Sequence, residues 1–178
     1  MRLQPGQAAP AFTVTDFTGV SHALSDYRGK KVLLSFYRYA SCPFCNLRIH
    51  QLRQKAAEWE GKGLVMLAVF QSPAATIMEY AAGDTVEFAI IPDPGMKLYK
   101  AYGVESSWAA FARATLRAGD IAKATAKGYL PGGKVDGDMN RVPADFLIDE
   151  QGVIRTAFYG KDIGDHLDTA EVEAFIGR

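Results

Sequence analysis

Lys31 to Tyr37 (KVLLSFY) is a nearly continuous apolar run, and Cys45, Ile49, Leu52, Ala56 and Trp59 follow it at helical steps of 4, 3, 4 and 3. The run suits a strand covered on both faces. The stripe suits a helix with one buried face. Pro43 fits the first helical position, where a missing N–H removes no hydrogen bond, and Gly61 and Gly63 end the helix. A strand buried on both sides needs a layer above it and another below. The pair therefore commits the chain to a layered α/β fold.

The remaining segments extend that pattern. Phe12 to Thr15 reads as a short strand with a turn at Thr18-Gly19, and Leu64 to Phe70 as a second buried strand. Ser72-Pro73 opens a short helix that Gly83 closes; Val86 to Ile91 is a short strand and Met96 to Tyr102 a short helix. Phe146–Ile148 and Val153–Phe158 are strands joined by the turn-forming Asp149-Glu150-Gln151-Gly152. The last helix starts at Asp168, with Glu171 completing a capping box. Strands alternating with helices imply a mostly parallel sheet covered on both faces, ending in an antiparallel hairpin.

Residues 105–141 break the rhythm, with helices over Trp108–Ala118 and Ile121–Lys127 and then a loop rich in Gly and Asp. We expect this insertion to form a lid or wall beside the cysteines. Trp108, Phe111 and Leu116 would cover a pocket mouth, and Gly132, Gly133 and Gly137 would supply a flexible return. The competing reading is a surface excursion or a dimer contact.

At 178 residues the whole chain reads as a single domain. Lys and Arg number 20 against 20 Asp and Glu, which argues against nucleic acid as the main partner. No apolar run approaches the roughly 18 residues needed to span a bilayer, and the opening Met-Arg-Leu-Gln-Pro-Gly lacks the apolar centre of a secretion signal. The expected location is a reducing cytoplasm. There, two cysteines three positions apart are catalytic or metal-binding more often than structural.

Those cysteines, Cys42 and Cys45, flank Pro43-Phe44 between the buried strand and the helix. With Pro43 first in the helix, Cys42 is the N-cap and Cys45 the third helical residue. Both sulfurs then lie near unsatisfied N–H groups and the positive end of the helix dipole. Such settings lower a thiol pKa from about 8.5 to between about 3.5 and 7.5. Cys45 heads the apolar stripe and should face inward, leaving Cys42 the more accessible. A structural disulfide would close too short a loop to add much stability. A zinc site would want four ligands where only His50 is near in sequence.

The chain resembles the alkyl hydroperoxide reductase/thiol-specific antioxidant group, the peroxiredoxin-like branch of the thioredoxin superfamily. The resemblance rests on Gly6-x-x-Ala9-Pro10-x-Phe12, Leu24-Ser25-Asp26-Tyr27-Arg28-Gly29-Lys30, Ile91-Pro92-Asp93-Pro94 with Tyr102-Gly103-Val104, and Phe146-Leu147-Ile148-Asp149-x-x-Gly152-x-Ile154-Arg155. It implies a thioredoxin fold with a central mixed sheet flanked by helices, interrupted by the helical insertion before the closing β-hairpin. Against the group's Pro-x-x-x-Thr-x-x-Cys motif, Arg38 stands at the proline, Cys42 at the threonine and Cys45 at the peroxide-attacking cysteine. Val142-Pro143-Ala144-Asp145-Phe146 is similar to the thioredoxin segment whose cis proline faces the cysteines. A cis Pro143 would offer its flanking carbonyl and N–H to a bound thiol. The group's thiolate-stabilising arginine lies near this point; Arg141 is close in sequence but not at the matching place.

Other signals are set aside. Gly128 to Lys134 nearly spells a phosphate loop, with Val135 where Ser or Thr is required. Asp136, Asp138 and Asn140 alternate like a calcium loop, with Arg141 in the glycine position. His22, His50 and His166 are scattered and read as surface histidines. Arg38 ends the buried strand just before the cysteines, and either lowers a sulfur pKa or reaches solvent.

The resemblance implies a thiol-dependent antioxidant oxidoreductase that reduces peroxides through a Cys42/Cys45 dithiol–disulfide cycle. It would be reset by a thioredoxin-like or other dithiol reductant, with Arg38, Pro43, Pro143 and Arg141 in support. No cofactor or metal is called for, no membrane partner is expected, and a homodimer is open to the chain. Motif spacing makes Cys45 the attacking residue; capping favours Cys42. The alternative is a protein disulfide oxidoreductase in which Cys42 attacks and Cys45 resolves. A third reading is a redox-inactive binding module.

Overall fold

The structure, a computed structural model, describes residues 1–82 and 87–178. In chain order its elements are β1 (Thr13–Thr15), β2 (Ser21–Ala23), β3 (Lys31–Phe36), α1 (Pro43–Gly61), β4 (Leu64–Phe70), α2 (Ala74–Tyr80), β5 (Ala89–Pro92), α3 (Lys97–Ala101), α4 (Trp108–Arg113), α5 (Ala118–Ala126), β6 (Ala144–Ile148), β7 (Ile154–Tyr159) and α6 (Thr169–Ile176). Single 3₁₀ turns follow β2 and α4. The expected helix stop at Gly83 and strand start at Val86 lie outside the described residues.

Five strands form one sheet in the order β5-β4-β3-β6-β7; β3, β4 and β5 are parallel, while β6 and β7 run antiparallel to their neighbours. β3 is central, as its apolar run demands. Alternation along β3 sends Val32, Leu34 and Phe36 into one core with Tyr99, Tyr102 and Phe146. Leu33 goes to the opposite core, with Ile49, Leu52 and Trp59 of α1 and Val172 and Phe175 of α6. This is the thioredoxin-like arrangement that the sequence resemblance implies.

Three details differ from the sequence reading. β1 pairs with β2 in a small separate hairpin, a partner that three residues of mixed polarity did not reveal. Asp168 caps α6 by accepting from the Ala170 N–H rather than by a reciprocal box with Glu171. Pro143 is trans, since no cis peptide occurs among the described residues. Val142 donates its N–H to Glu105, and the Pro143 carbonyl accepts from Gly160, so both sides of the proline are tied into the fold.

The ends of the insertion are zipped together. Ser106 bridges Arg141, the Ser107 N–H donates to Asn140, and the Val142 N–H donates to Glu105. The two ends of residues 105–141 therefore meet at one point, next to the start of β6.

Candidate active site

β3 ends at Phe36, and the chain crosses from the carboxyl edge of the sheet into α1 through residues 37–42. Such an edge, where neighbouring connections diverge, is where open α/β sheets gather their functional groups. Pro43 begins α1 and Cys42 is its N-cap with extended backbone. The helix places Cys45 one turn in, beside the last residues of β3: the Arg38 N–H lies 3.4 Å from the Cys45 sulfur.

Arg38 is the residue that organises this corner. Its Nη1 lies 3.3 Å from the Cys42 sulfur. Its Nη2 donates to the Tyr39 hydroxyl and to the Met139 carbonyl. The guanidinium also lies over the Tyr39 ring at 4.8 Å and the Phe111 ring at 5.8 Å. Arg38 is only 2% exposed, and no carboxylate pairs with it among the described residues. Of the two outcomes open from sequence, the guanidinium takes the one beside the sulfur.

Both cysteines are free thiols, Cys42 0% and Cys45 1% exposed. The expectation of an accessible Cys42 is thus corrected: a helix N-cap is open only if nothing packs around it, and here residues 133–139 bond to its neighbours Arg38 and Ser41. Burial pushes the Cys42 pKa up. The hydrogen bond from the Cys45 thiol, the Arg38 charge and the Cys45 and Phe44 amides outweigh burial and bring it down to about 6. Cys45 moves the other way. Burial raises it well above the ordinary thiol range, and the neighbouring Cys42 adds to the rise. Within the pair the negative charge is thus favoured on Cys42 and the proton on Cys45.

The cover comes from the loop of the insertion. The Ser41 hydroxyl donates to the Lys134 carbonyl at 2.7 Å, and the Ser72 hydroxyl bonds to Asp136. Gln71, at the end of β4, accepts from the Asp138 N–H at 3.0 Å and donates back to the Asp138 carbonyl at 3.2 Å. The approach is close enough to require glycine: a Cβ on Gly133 would fall 2.5 Å from the Ser41 Cβ, and one on Gly137 2.8 Å from Gln71. The wall expected from chain order is present, built differently. Phe111 faces Arg38, but Trp108 and Leu116 are 68% and 85% exposed.

Arg141 does not reach the sulfurs. It braces the root of the cover, donating to the Val104 carbonyl at 2.7 Å and pairing with Asp138. Pro143 is buried at the start of β6 and is not among the hydrogen-bond partners of either sulfur. A cleft of about 460 Å³ opens on the other side of Phe44, lined in part by Arg48, Arg117 and His166, and neither sulfur lines it.

One cluster escaped the sequence reading. His166 is half-buried, with its side chain only 5% exposed, and its Nδ1 lies 3.0 Å from Asp145 of β6. Asp145 also accepts from the Leu167 N–H, and Arg48 of α1 donates to the Leu167 carbonyl. Burial raises the Asp145 pKa, but His166, Arg48 and Ser35 together hold it down at about 2. The available signal was a lone acid in the apolar strand ADFLI, which needs a partner.

A sequence model of the AhpC/TSA family matches residues 5–157. A putative peroxiredoxin Bcp of Haemophilus influenzae is 30% identical over 164 residues, 92% of this chain and 91% of the relative. Peroxiredoxin Bcp of Escherichia coli K12 is 25% identical over 166 residues, 93% and 92%. A putative peroxiredoxin of Mycobacterium tuberculosis is 30% identical over 102 residues, which span 57% of this chain and 65% of that one, just under two thirds of its length. Among solved structures, peroxidoxin BcpB of M. tuberculosis superposes with a TM-score of 0.68 at 16% identity, covering 99% of this chain and 96% of that one. A putative thiol:disulfide interchange protein DsbE of Chlorobium tepidum gives 0.65 at 23% identity, covering 98% and 99%. The superpositions carry the thioredoxin-like fold, and the family match extends over most of the sequence, cysteine corner included: the chain belongs to the AhpC/TSA family.

Proposed function

We propose that the protein is a thiol-dependent peroxidase that cycles between a Cys42/Cys45 dithiol and a Cys42–Cys45 disulfide. One observation carries this reading: the buried Arg38 guanidinium lies 3.3 Å from the buried Cys42 sulfur, whose other partner is the Cys45 thiol. Motif spacing pointed to Cys45 as the attacking residue; the charge distribution favours Cys42, and the attack is assigned to Cys42. Its thiolate attacks one oxygen of the O–O bond, forming a sulfenic acid, while the other oxygen leaves and takes a proton to become an alcohol or water. The Cys45 sulfur then attacks the Cys42 sulfur. Hydroxide departs with the Cys45 proton as water, and the disulfide remains. Two sulfurs have supplied the two electrons, and one proton has been taken from solution. An external dithiol protein returns the electrons by exchange.

Arg38 supports the reaction twice in this scheme, holding the thiolate and facing the oxygen that gains charge as the O–O bond breaks. Pro43 fixes the start of α1, Arg141 braces the cover, and Pro143 ties β6 to Gly160. A protein that depends on dithiol reduction belongs in a reducing compartment, and the cytoplasm is the proposed location. No helix among the described residues is long and apolar enough to cross a membrane.

The N-cap position and lowered pKa of Cys42 would equally serve attack on a protein disulfide. The cover favours the peroxidase reading, because a peroxide needs an opening of its own width whereas a protein disulfide needs the cover removed. Stopped-flow consumption of hydrogen peroxide and cumene hydroperoxide separates the two. Cys42→Ser should lose about a thousandfold or more in rate. Cys45→Ser should keep the first turnover and accumulate a sulfenic acid on Cys42. Negligible peroxide reactivity in the wild type, with insulin disulfide reduction intact, would overturn the peroxidase reading in favour of disulfide exchange.

A further inference from the structure

Tyr39 is joined to both residues that carry the proposed chemistry. The Cys42 N–H donates to its carbonyl at 3.0 Å, so the chain turns back between the two. The Arg38 Nη2 donates to its hydroxyl at 3.3 Å, while Nη1 of the same guanidinium lies 3.3 Å from the Cys42 sulfur. One buried cation thus touches a sulfur and a phenol. The hydroxyls of Tyr99, Tyr102 and Tyr159 give their protons to backbone carbonyls. The Tyr39 hydroxyl only accepts, and its own proton has no acceptor among the described residues.

The first step of the proposed cycle needs a proton at this corner. As the Cys42 thiolate attacks one peroxide oxygen, the other departs with the electron pair of the O–O bond. Hydroxide is a poor leaving group, because water has a pKa of about 15.7. An ordinary phenol, at about 10, is by far the stronger acid. Burial raises the Tyr39 hydroxyl above that value and Arg38 opposes the rise, so the group enters the reaction protonated. The Cys45 proton is used in the second step, when the disulfide forms.

Resting on the peroxidase reading above, we infer that Tyr39 is the general acid of the first step, giving its hydroxyl proton to the departing peroxide oxygen. A sulfur–oxygen bond forms and the O–O bond breaks. The sulfur is oxidised and the peroxide reduced by two electrons, and the leaving oxygen becomes water or an alcohol. Cys42 loses its negative charge in the same step in which Tyr39 gains one. The charge passes from one side of Arg38 to the other, and the buried guanidinium keeps a counter-charge throughout. A proton from solution then restores the phenol, the one proton that the cycle takes up.

Stopped-flow oxidation of the reduced full chain by hydrogen peroxide and by peracetic acid tests the assignment. Peracetic acid expels acetate, the anion of an ordinary carboxylic acid with a pKa of about 4, and needs no proton to do so. Tyr39→Phe keeps the ring against Arg38 and removes only the hydroxyl. It should react about a hundredfold more slowly than wild type with hydrogen peroxide, and within about threefold of wild type with peracetic acid. The pH profile of Cys42 alkylation by iodoacetamide should be the same in both proteins. In the wild type itself, deuterium oxide should slow the reaction with hydrogen peroxide more than that with peracetic acid, a readout that does not depend on the variant folding. Equal losses with the two oxidants, no loss with either, an alkylation profile shifted enough to account for the loss, or equal solvent isotope effects would overturn the general acid and leave the peroxidase reading standing. A wild type that reacts with neither oxidant overturns the peroxidase reading and the assignment with it.

Discussion

Beneath α1, the sheet packs Leu33, Leu147, Ile49 and Trp59 against one another, and the polar side chains there, Asp145, Arg48 and His166, lie in one connected cluster. Above the N-terminus of α1, residues 105–141 bury only alanines among their apolar side chains, Ala110, Ala114 and Ala124, within the described residues. Trp108, Leu116 and Leu130 are turned outward, and the loop is tied down by hydrogen bonds to Ser41, Gln71, Ser72 and Arg38. Apolar burial is strong and non-directional, and is lost only by opening the fold. Hydrogen bonds contribute about 1 kcal/mol each net and can be exchanged for water one at a time. The cysteines lie at the junction of a rigid floor and a roof that can be lifted.

The floor is one sheet with a second core on its far face, and that core should give the largest response. Phe146 is fully buried, with Phe36, Tyr102 and Tyr159 around its ring at 5.8, 5.1 and 5.5 Å. Phe146→Ala should cost about 3–5 kcal/mol of unfolding free energy in a urea titration. A loss below about 1 kcal/mol would mean that the floor is not the cooperative unit described here.

The charged part of the floor gives the next effect, and its sign follows from the depressed pKa of Asp145. The carboxylate, held near 2 by its partners, adds stability that is fully present above the ordinary carboxyl range and disappears as pH falls through the folded value. Asp145→Asn should therefore be less stable than wild type by about 2 kcal/mol at pH 7. The gap should narrow as pH drops from about 4 towards 2. Equal stability at pH 7 would show that the cluster with His166 and Arg48 contributes nothing net.

This contrast also explains what the sequence could disclose. β3, α1, β4, β6 and β7 were legible because burial writes itself into periodicity: a continuous apolar run for a central strand, a 3.6-residue stripe for a helix. The cysteine corner was legible from spacing alone, because Pro43 fixes the helix start and hence both sulfur positions. The accessibility of Cys42 was misread because it depends on residues 133–139, about ninety positions away, whose contacts are side chain to backbone and leave no periodic trace. His166 was misread for a related reason: its partner Asp145 is 21 residues away, on a strand whose apolar pattern hides a charged site. The backbone partners around Pro143, Glu105 and Gly160, are likewise distant in sequence.

On the roof, Gly133→Val should act locally. The added Cβ meets the Ser41 side chain at 2.5 Å, so the loop must shift away from the cysteines. Reaction of Cys42 with iodoacetamide at pH 7 should accelerate about tenfold, while global stability changes by about 1 kcal/mol or less. A global loss as large as that of Phe146→Ala would erase the distinction between floor and roof.

The smallest effect belongs to the outer face of the roof. Trp108 is largely exposed, and its ring meets Phe111 edge-on at 5.6 Å without entering either core. Trp108→Ser should change unfolding free energy by about 0.5 kcal/mol or less, as surface substitutions do. Peroxide reactivity should be equally unmoved, because Phe111, not Trp108, faces Arg38. The measurement should be run over a hundredfold range of protein concentration. In a monomer the difference between Trp108→Ser and wild type is independent of concentration. If the homodimer left open by the sequence uses this face, the wild type gains stability with concentration by mass action and the variant does not. A gap that widens with concentration would then make the roof's apolar face a subunit contact, buried by a second copy as the floor is buried by its own chain.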